Sequence, residues 1–225
     1  MPELSDMPTD TLELSRRPPI VEDRSTRKRR AIIEAATTLF LQRGYLGTSI
    51  DQIAALATVS KPTVYRFFTD KEQLLTEIVL GTLDRRGDPF RAELASLAQS
   101  NDLSPELRGL ARDYIKIVTQ PSGLALRRLV IGASHQLPAL AQAYYERAQE
   151  QTLGALASVF EQLATRGLLE IDEPITAASH FAFLVLGRAL DKSLFSPEKP
   201  FTDAQLERQA DAGVTAFLAI YANGP

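Results

Sequence analysis

Nine basic side chains fall between residues 24 and 71: Arg24, Arg27, Lys28, Arg29, Arg30, Arg43, Lys61, Arg66 and Lys71. Only Glu34, Asp51 and Asp70 oppose them, a net of +6. Ammonium and guanidinium groups at this density suit phosphate oxygens, so the segment has the charge to meet a polyanion. Within it, the run Ser60-Lys61-Pro62-Thr63-Val64-Tyr65-Arg66 interleaves donors with small and aromatic groups. Lys61 and Arg66 can donate to O6 and N7 of guanine, and Thr63 can meet a thymine methyl group or a phosphate. A merely solvated basic face would have the same composition. Spacing has to decide between the two.

Other chemistries find little support. Cysteine is absent, which removes disulfides, thiolate metal sites and cysteine nucleophiles together. His135 and His180 are the only histidines, and neither stands in a His-Glu-x-x-His spacing. Glycine-rich phosphate loops, nucleophile elbows and paired-carboxylate patterns are missing, so no catalytic residue, metal or cofactor is expected. The overall charge of −3 conceals a division, since residues 72–225 carry a net of −5 and residues 1–23 a net of −4. With 225 residues, 44% of them hydrophobic, the chain can bury a substantial core. Its longest apolar stretches, such as Phe181 to Leu186, are too short to span a bilayer. No apolar secretory core follows Met1, so a cytoplasmic protein without membrane contact is expected.

The elements that must position the basic groups read as helices throughout. Alternating strand patterns are nearly absent, and alanine and leucine abound. A first helix is expected from about Thr26 to Arg43, because Ile32, Ala35, Ala36, Leu39 and Phe40 recur along one stripe. Gly44 ends it, as glycine does where the chain turns left-handed past a helix. Arg27 and Lys28 then sit at the positive end of that helix, where an external anion such as phosphate would offset the repulsion. A second helix opens at Ser49, which with Gln52 has the spacing of a capping box. The third runs from Lys61 to about Phe68, with Ser60 as cap, Pro62 in the first turn and Val64 and Phe68 inward. Thr69-Asp70-Lys71-Glu72 reads as a further capping box opening a fourth helix to about residue 86. Two short helices braced by a longer one form a helix-turn-helix, whose second helix fits the major groove.

The run Ala35-Ala36, Leu39-Phe40, Gly44-Tyr45, Thr48-Ser49-Ile50, Ile53-Ala54, Val59 to Phe68 and Asp70 to Leu75 resembles the N-terminal DNA-binding domain of the TetR family. The resemblance covers roughly residues 27–80. It implies that Lys61, Thr63, Tyr65 and Arg66 are presented to DNA, that Tyr65 and Lys71 touch phosphates, and that Thr48 and Ser49 approach the backbone. Asp51 departs from the pattern, since relatives can carry a basic residue there; it can accept from cytosine N4, or be solvated or salt-bridged.

Beyond Leu83, helical segments are expected near 89–100, 104–120, 123–136, 138–166, 173–195 and 202–222. Helix lengths, together with His135 to Pro138 and Asp172-Glu173-Pro174, resemble the C-terminal domain of the family's AefR-like branch. The fold class expected is thus all-α: a mobile acidic tail (1–23), a helix-turn-helix domain (24–71) and a larger helical ligand-binding and dimerisation domain (72–225). The resemblance implies a homodimer joined through the last two helices, where Ala177, Ala178, Phe181, Leu184, Val185, Arg188, Val214, Phe217, Leu218 and Tyr221 form stripes. Such a dimer predicts a pseudo-palindromic double-stranded DNA operator. It also implies a small-molecule effector, apolar or aromatic, for which Tyr114, His135, Tyr144, Tyr145, His180 and Arg188 can supply polar contacts. The reading that results is a repressor released by its ligand, with an architectural DNA-binding protein lacking an effector as the alternative.

Overall fold

The stripe of α1 (Arg24–Arg43) is buried as its spacing requires, with Ile32, Ala36 and Phe40 fully enclosed. The computed structural model describes residues 23–222, apart from the side chains of residues 85–89 and 91. Residues 1–22 of the acidic tail therefore lie outside it. Asp23, grouped with that tail by its charge, caps α1 by accepting from the Ser25 amide. The capping box expected at Ser49 and Gln52 opens α2 (Ile50–Leu56), and Ser60 caps α3 (Lys61–Phe67). The turn between them holds Thr58 at φ 55°. A β-branched residue in the left-handed region costs about 1–2 kcal/mol, strain absorbed by the packing of the two flanking helices.

α4 (Lys71–Leu97) corrects two expectations. Its cap is Asp70, which accepts from the Gln73 amide, while the Gln73 carboxamide oxygen accepts from the Thr69 amide at 2.6 Å. The reciprocal pairing is thus set one residue later than Thr69 and Glu72. The helix also continues through Gly87 and Pro89 instead of ending near residue 86. Proline removes a single amide donor, and burial of Leu74, Leu75 and Val79 on one side and Phe90, Leu94 and Leu97 on the other holds the register.

The body comprises α5 (Leu103–Thr119), α6 (Pro121–Ala133), α7 (Pro138–Tyr145), a π-helical turn (Glu146–Glu150), α8 (Gln151–Thr165), α9 (Pro174–Phe195) and α10 (Asp203–Tyr221). The helix expected over 138–166 is therefore interrupted by the π turn. Within α9, Gly187 adopts φ 43° and ψ −141°, a kink that L side chains resist. Among the described residues no named strand forms; one isolated bridge joins Leu169 to Ala222.

Two apolar cores result. The first joins α1–α3 to the start of α4 and runs on into α6 and α7 through Leu126, Leu129, Val130, Leu137 and Leu140. The second fills the body around Phe160, Phe181 and Phe217, whose rings lie 5.0–5.5 Å apart. Arg112 grips Asp211 through two hydrogen bonds of 2.9 and 2.7 Å, tying α5 to α10. The stripes assigned to a dimer interface prove largely intramolecular, since Ala177, Ala178, Phe181, Val185, Val214 and Phe217 are fully buried within the chain. The large apolar groups that α9 and α10 turn outward are instead Ile175, Phe183 (68% exposed), Phe195 at the end of α9 (86% exposed) and Ile220 (60% exposed).

Candidate nucleic-acid interface and body cavity

Val64 anchors α3 into the first core, and that single constraint turns Lys61, Pro62, Tyr65 and Arg66 to the outside. The Ser60 hydroxyl bonds the Thr63 hydroxyl at 2.8 Å and accepts from the Thr63 amide, which stiffens the helix start. Lys61 reaches across to α2 and pairs with Asp51 at 3.0 Å. The pair raises the Lys61 pKa, through that hydrogen bond first and the Asp51 charge second. Asp51 thus resolves as a salt-bridge partner. Both groups are exposed, so the bond can be exchanged for one to an incoming acceptor at little cost. Arg66 lies 4.8 Å over the Phe67 ring and is exposed. Tyr65 is 48% exposed.

The helix that backs α3 adds further cations. Arg29 is not one of them, because it pairs with Glu77 of α4 and covers the Phe68 ring. Arg27 is exposed and Lys28 half-buried, and neither has an ion-pair partner among the described residues. Ser49, the cap of α2, is exposed.

Two expected backbone-contacting residues are turned inward. Thr48 is only 2% exposed, and its hydroxyl donates to the Gly44 carbonyl at 2.9 Å. It shapes the α1–α2 turn and has no hydroxyl to offer outside. Lys71 donates to the carbonyls of Tyr45 and Thr48, each at 2.8 Å, with its amine 4.2 Å over the Tyr45 ring. Burial pushes its pKa down. One of its three donors remains for an external acceptor. Sequence spacing gives the charge of Lys71 but not the direction of its stem.

In the body, α4, α5, α6, the end of α7, the π turn and α8 line a cavity of about 350 Å³. That lies at the lower end of the range for small-molecule sites. Leu83, Phe90, Ile117, Val118, Ala148 and Ala155 supply apolar wall. Tyr114 and Tyr144, both expected, line it. His135, Tyr145, His180 and Arg188 do not: all four are exposed, and His180 instead shares a 2.6 Å hydrogen bond with the Tyr221 hydroxyl. His135 lies in the turn after α6, and the other three stand on α7 and α9 outside the cavity lining. The sequence reading missed Asp84, Arg127, Arg147 and Gln151. Tyr144, Arg147, Ala148, Gln151, Thr152 and Ala155 stand at the i, i+3, i+4, i+7 spacing of one helix face, which the sequence shows, but not that this face meets a cavity.

Tyr114 stacks on Phe90 with ring centres 5.2 Å apart. Burial pushes its hydroxyl up to about 12, against a smaller opposing effect of Arg127. It is therefore a neutral donor throughout the physiological range. At the rim, Arg147 of the π turn bonds Asp84 of α4 at 3.0 and 3.3 Å. Among the described residues no group of three or more carboxylates or histidines is disposed to hold a metal, and no helix is long and apolar enough to cross a membrane.

Residues 32–78 match the family described as bacterial regulatory proteins, tetR family, and residues 105–223 match the AefR-like transcriptional repressor C-terminal domain. A solved TetR-family transcriptional regulator from Mesorhizobium loti is 40% identical, covering 90% of this chain and all of its own, with a TM-score of 0.80. The flavonoid-responsive regulator FrrA is 32% identical over 88% of this chain and 99% of its own, with a TM-score of 0.69. The transcriptional regulator RutR of Escherichia coli is 35% identical over 109 residues, 47% of this chain and 50% of its own. This chain thus spans about half the length, or less, of the first curated relatives it matches.

Proposed function

The chain belongs to the TetR family of bacterial regulators, and on that premise we propose that it is a homodimeric, cytoplasmic repressor released from its operator by a small molecule. The observation that carries the reading is α3, a short capped helix anchored by Val64 with Lys61, Tyr65 and Arg66 outward on the basic side of the chain. In this reading Lys61, Pro62, Thr63, Tyr65 and Arg66 enter the major groove, and Arg27, Lys28, Ser49 and the remaining donor of Lys71 meet phosphates. Thr48 acts indirectly, by fixing the turn that presents Ser49. The DNA-binding part extends over residues 24–71 and the ligand-binding and dimerisation part over 72–225. Exposed Phe183 and Ile220 pack against a second copy, giving two reading helices related by a twofold axis.

The cavity favours an effector over a purely architectural role, and the flavonoid-responsive relative supports an aromatic one. Control passes along α4. Its first residue clamps the α1–α2 turn, and Asp84 and Phe90 stand at the cavity about 20 and about 29 Å further along the helix. A ligand that repositions α4 alters the separation of the two reading helices. To swing the population from 1:99 to 99:1 it must favour the released state by about 5.5 kcal/mol.

Selection of bound fragments from a random duplex pool tests the proposal. Enrichment of an inverted repeat, bound by two protomers per duplex, is expected. Failure to enrich, or enrichment of one unrepeated motif, overturns the dimeric-operator reading.

A further inference from the structure

Arg127 of α6 stands apart from the neighbouring arginines. Arg108, Arg112, Arg128, Arg147 and Arg166 all donate to protein oxygens. Arg127 is half-buried against the cavity, yet forms no hydrogen bond or ion pair with the described residues. A guanidinium withdrawn from water without a partner is unfavourable unless an acceptor arrives. The Tyr114 hydroxyl beside it is likewise without a hydrogen-bond partner among the described residues. The other charges on the wall, Arg147 and Asp84, satisfy one another. Among the described residues one positive charge is left over, next to a neutral donor, at the edge of an apolar and aromatic cavity.

From this arrangement we infer that the cavity takes an amphiphile carrying a single anionic group, a carboxylate or its equivalent, held by Arg127 and Tyr114 with its aromatic or aliphatic body against Phe90. The inference rests on the proposed effector role of the cavity and adds the charge of the ligand to it. Planar guanidinium forks bind such anions through two parallel hydrogen bonds, and Tyr114 supplies a third.

Two fluorescent probes with the same ring system separate charge from shape. 8-Anilinonaphthalene-1-sulfonate carries the anion; N-phenyl-1-naphthylamine lacks it. Titrated into the full chain, the sulfonate is expected to saturate one site per protomer and to bind about ten- to a hundred-fold more tightly than the neutral probe. Arg127→Met removes that preference while leaving the neutral probe within about threefold, and Arg127→Lys retains part of it. Equal affinity of the two probes for the native chain, parallel loss of both in Arg127→Met, or no saturable binding overturns the inference. Duplex binding by the same preparations distinguishes its failure from that of the regulator reading. A chain that takes the sulfonate through Arg127 but ignores duplex DNA sinks only the latter.

Discussion

Alanine at Lys61 and Arg66 together is expected to reduce affinity for the selected operator by about a hundred-fold or more, while binding to unrelated duplex falls far less. The two side chains are the long donors that α3 exposes, and each bidentate contact to a guanine edge discriminates by about ten- to a hundred-fold. Arg66 has no protein acceptor to leave, because it is exposed and forms no hydrogen bond or ion pair with the described residues. Lys61 must leave Asp51, an exchange between exposed partners that costs little. Asp51→Asn therefore serves as a control with the opposite sign: it frees Lys61 and removes an acid from the interface. Titrations at several salt concentrations separate the effects, since a lost phosphate contact flattens the salt slope by about one and a lost base contact relaxes preference at one position. Equal loss on operator and random duplex would show that α3 supplies charge without reading sequence.

Phe160→Ala is expected to destabilise the body by about 3–5 kcal/mol, read from urea denaturation at fixed protein concentration. The ring is fully buried and lies at the centre of the body's aromatic cluster, 5.0 Å from Phe217 and 5.5 Å from Phe181 at 78°. Removing it forfeits the apolar transfer and leaves a void between α8, α9 and α10, the last of which Arg112 and Lys116 tie to α5. A domain is stable by only about 5–15 kcal/mol, so this one change consumes a large share. The helix-turn-helix core lies elsewhere, around Phe40, Val64 and Phe68. At temperatures where the variant stays folded, nonspecific DNA contacts should thus survive better than dimerisation. A loss below 1 kcal/mol would mean that the cluster collapses around the gap.

The two halves of the molecule differ in how much their sequence disclosed, and the reason is physical. In α1–α3 the determinants are local: a stripe at helical spacing, a Ser-x-x-Gln box, a capping serine and a proline in the first turn. Each acts within a few residues, so spacing alone locates it. Lys71 escaped because its acceptors lie up to 26 residues away, and Thr48 because its hydroxyl bonds back to Gly44 instead of facing outward beside Ser49. The cavity escaped more fully. Its wall takes one face from each of several helices, and the spacing within each helix does not say which faces of distant segments converge. Polar groups scattered on helices look alike in sequence, whether they face a cavity, as Arg127 does, or solvent, as Arg188 does. In α4 the local signal was present and was overruled, since Gly87 and Pro89 do not outweigh the buried contacts on either side.

The central claim, that α3 lies along base-pair edges in two successive major grooves, meets its most direct test in methylation interference. Guanine N7 faces the major groove and adenine N3 the minor groove, so dimethyl sulfate marks the two separately. The structure predicts that N7 methylation at guanines in two symmetric half-sites, about one helical turn apart, prevents binding, and that N3 methylation there does not. Binding indifferent to N7 methylation, or blocked only from the minor groove, would contradict it.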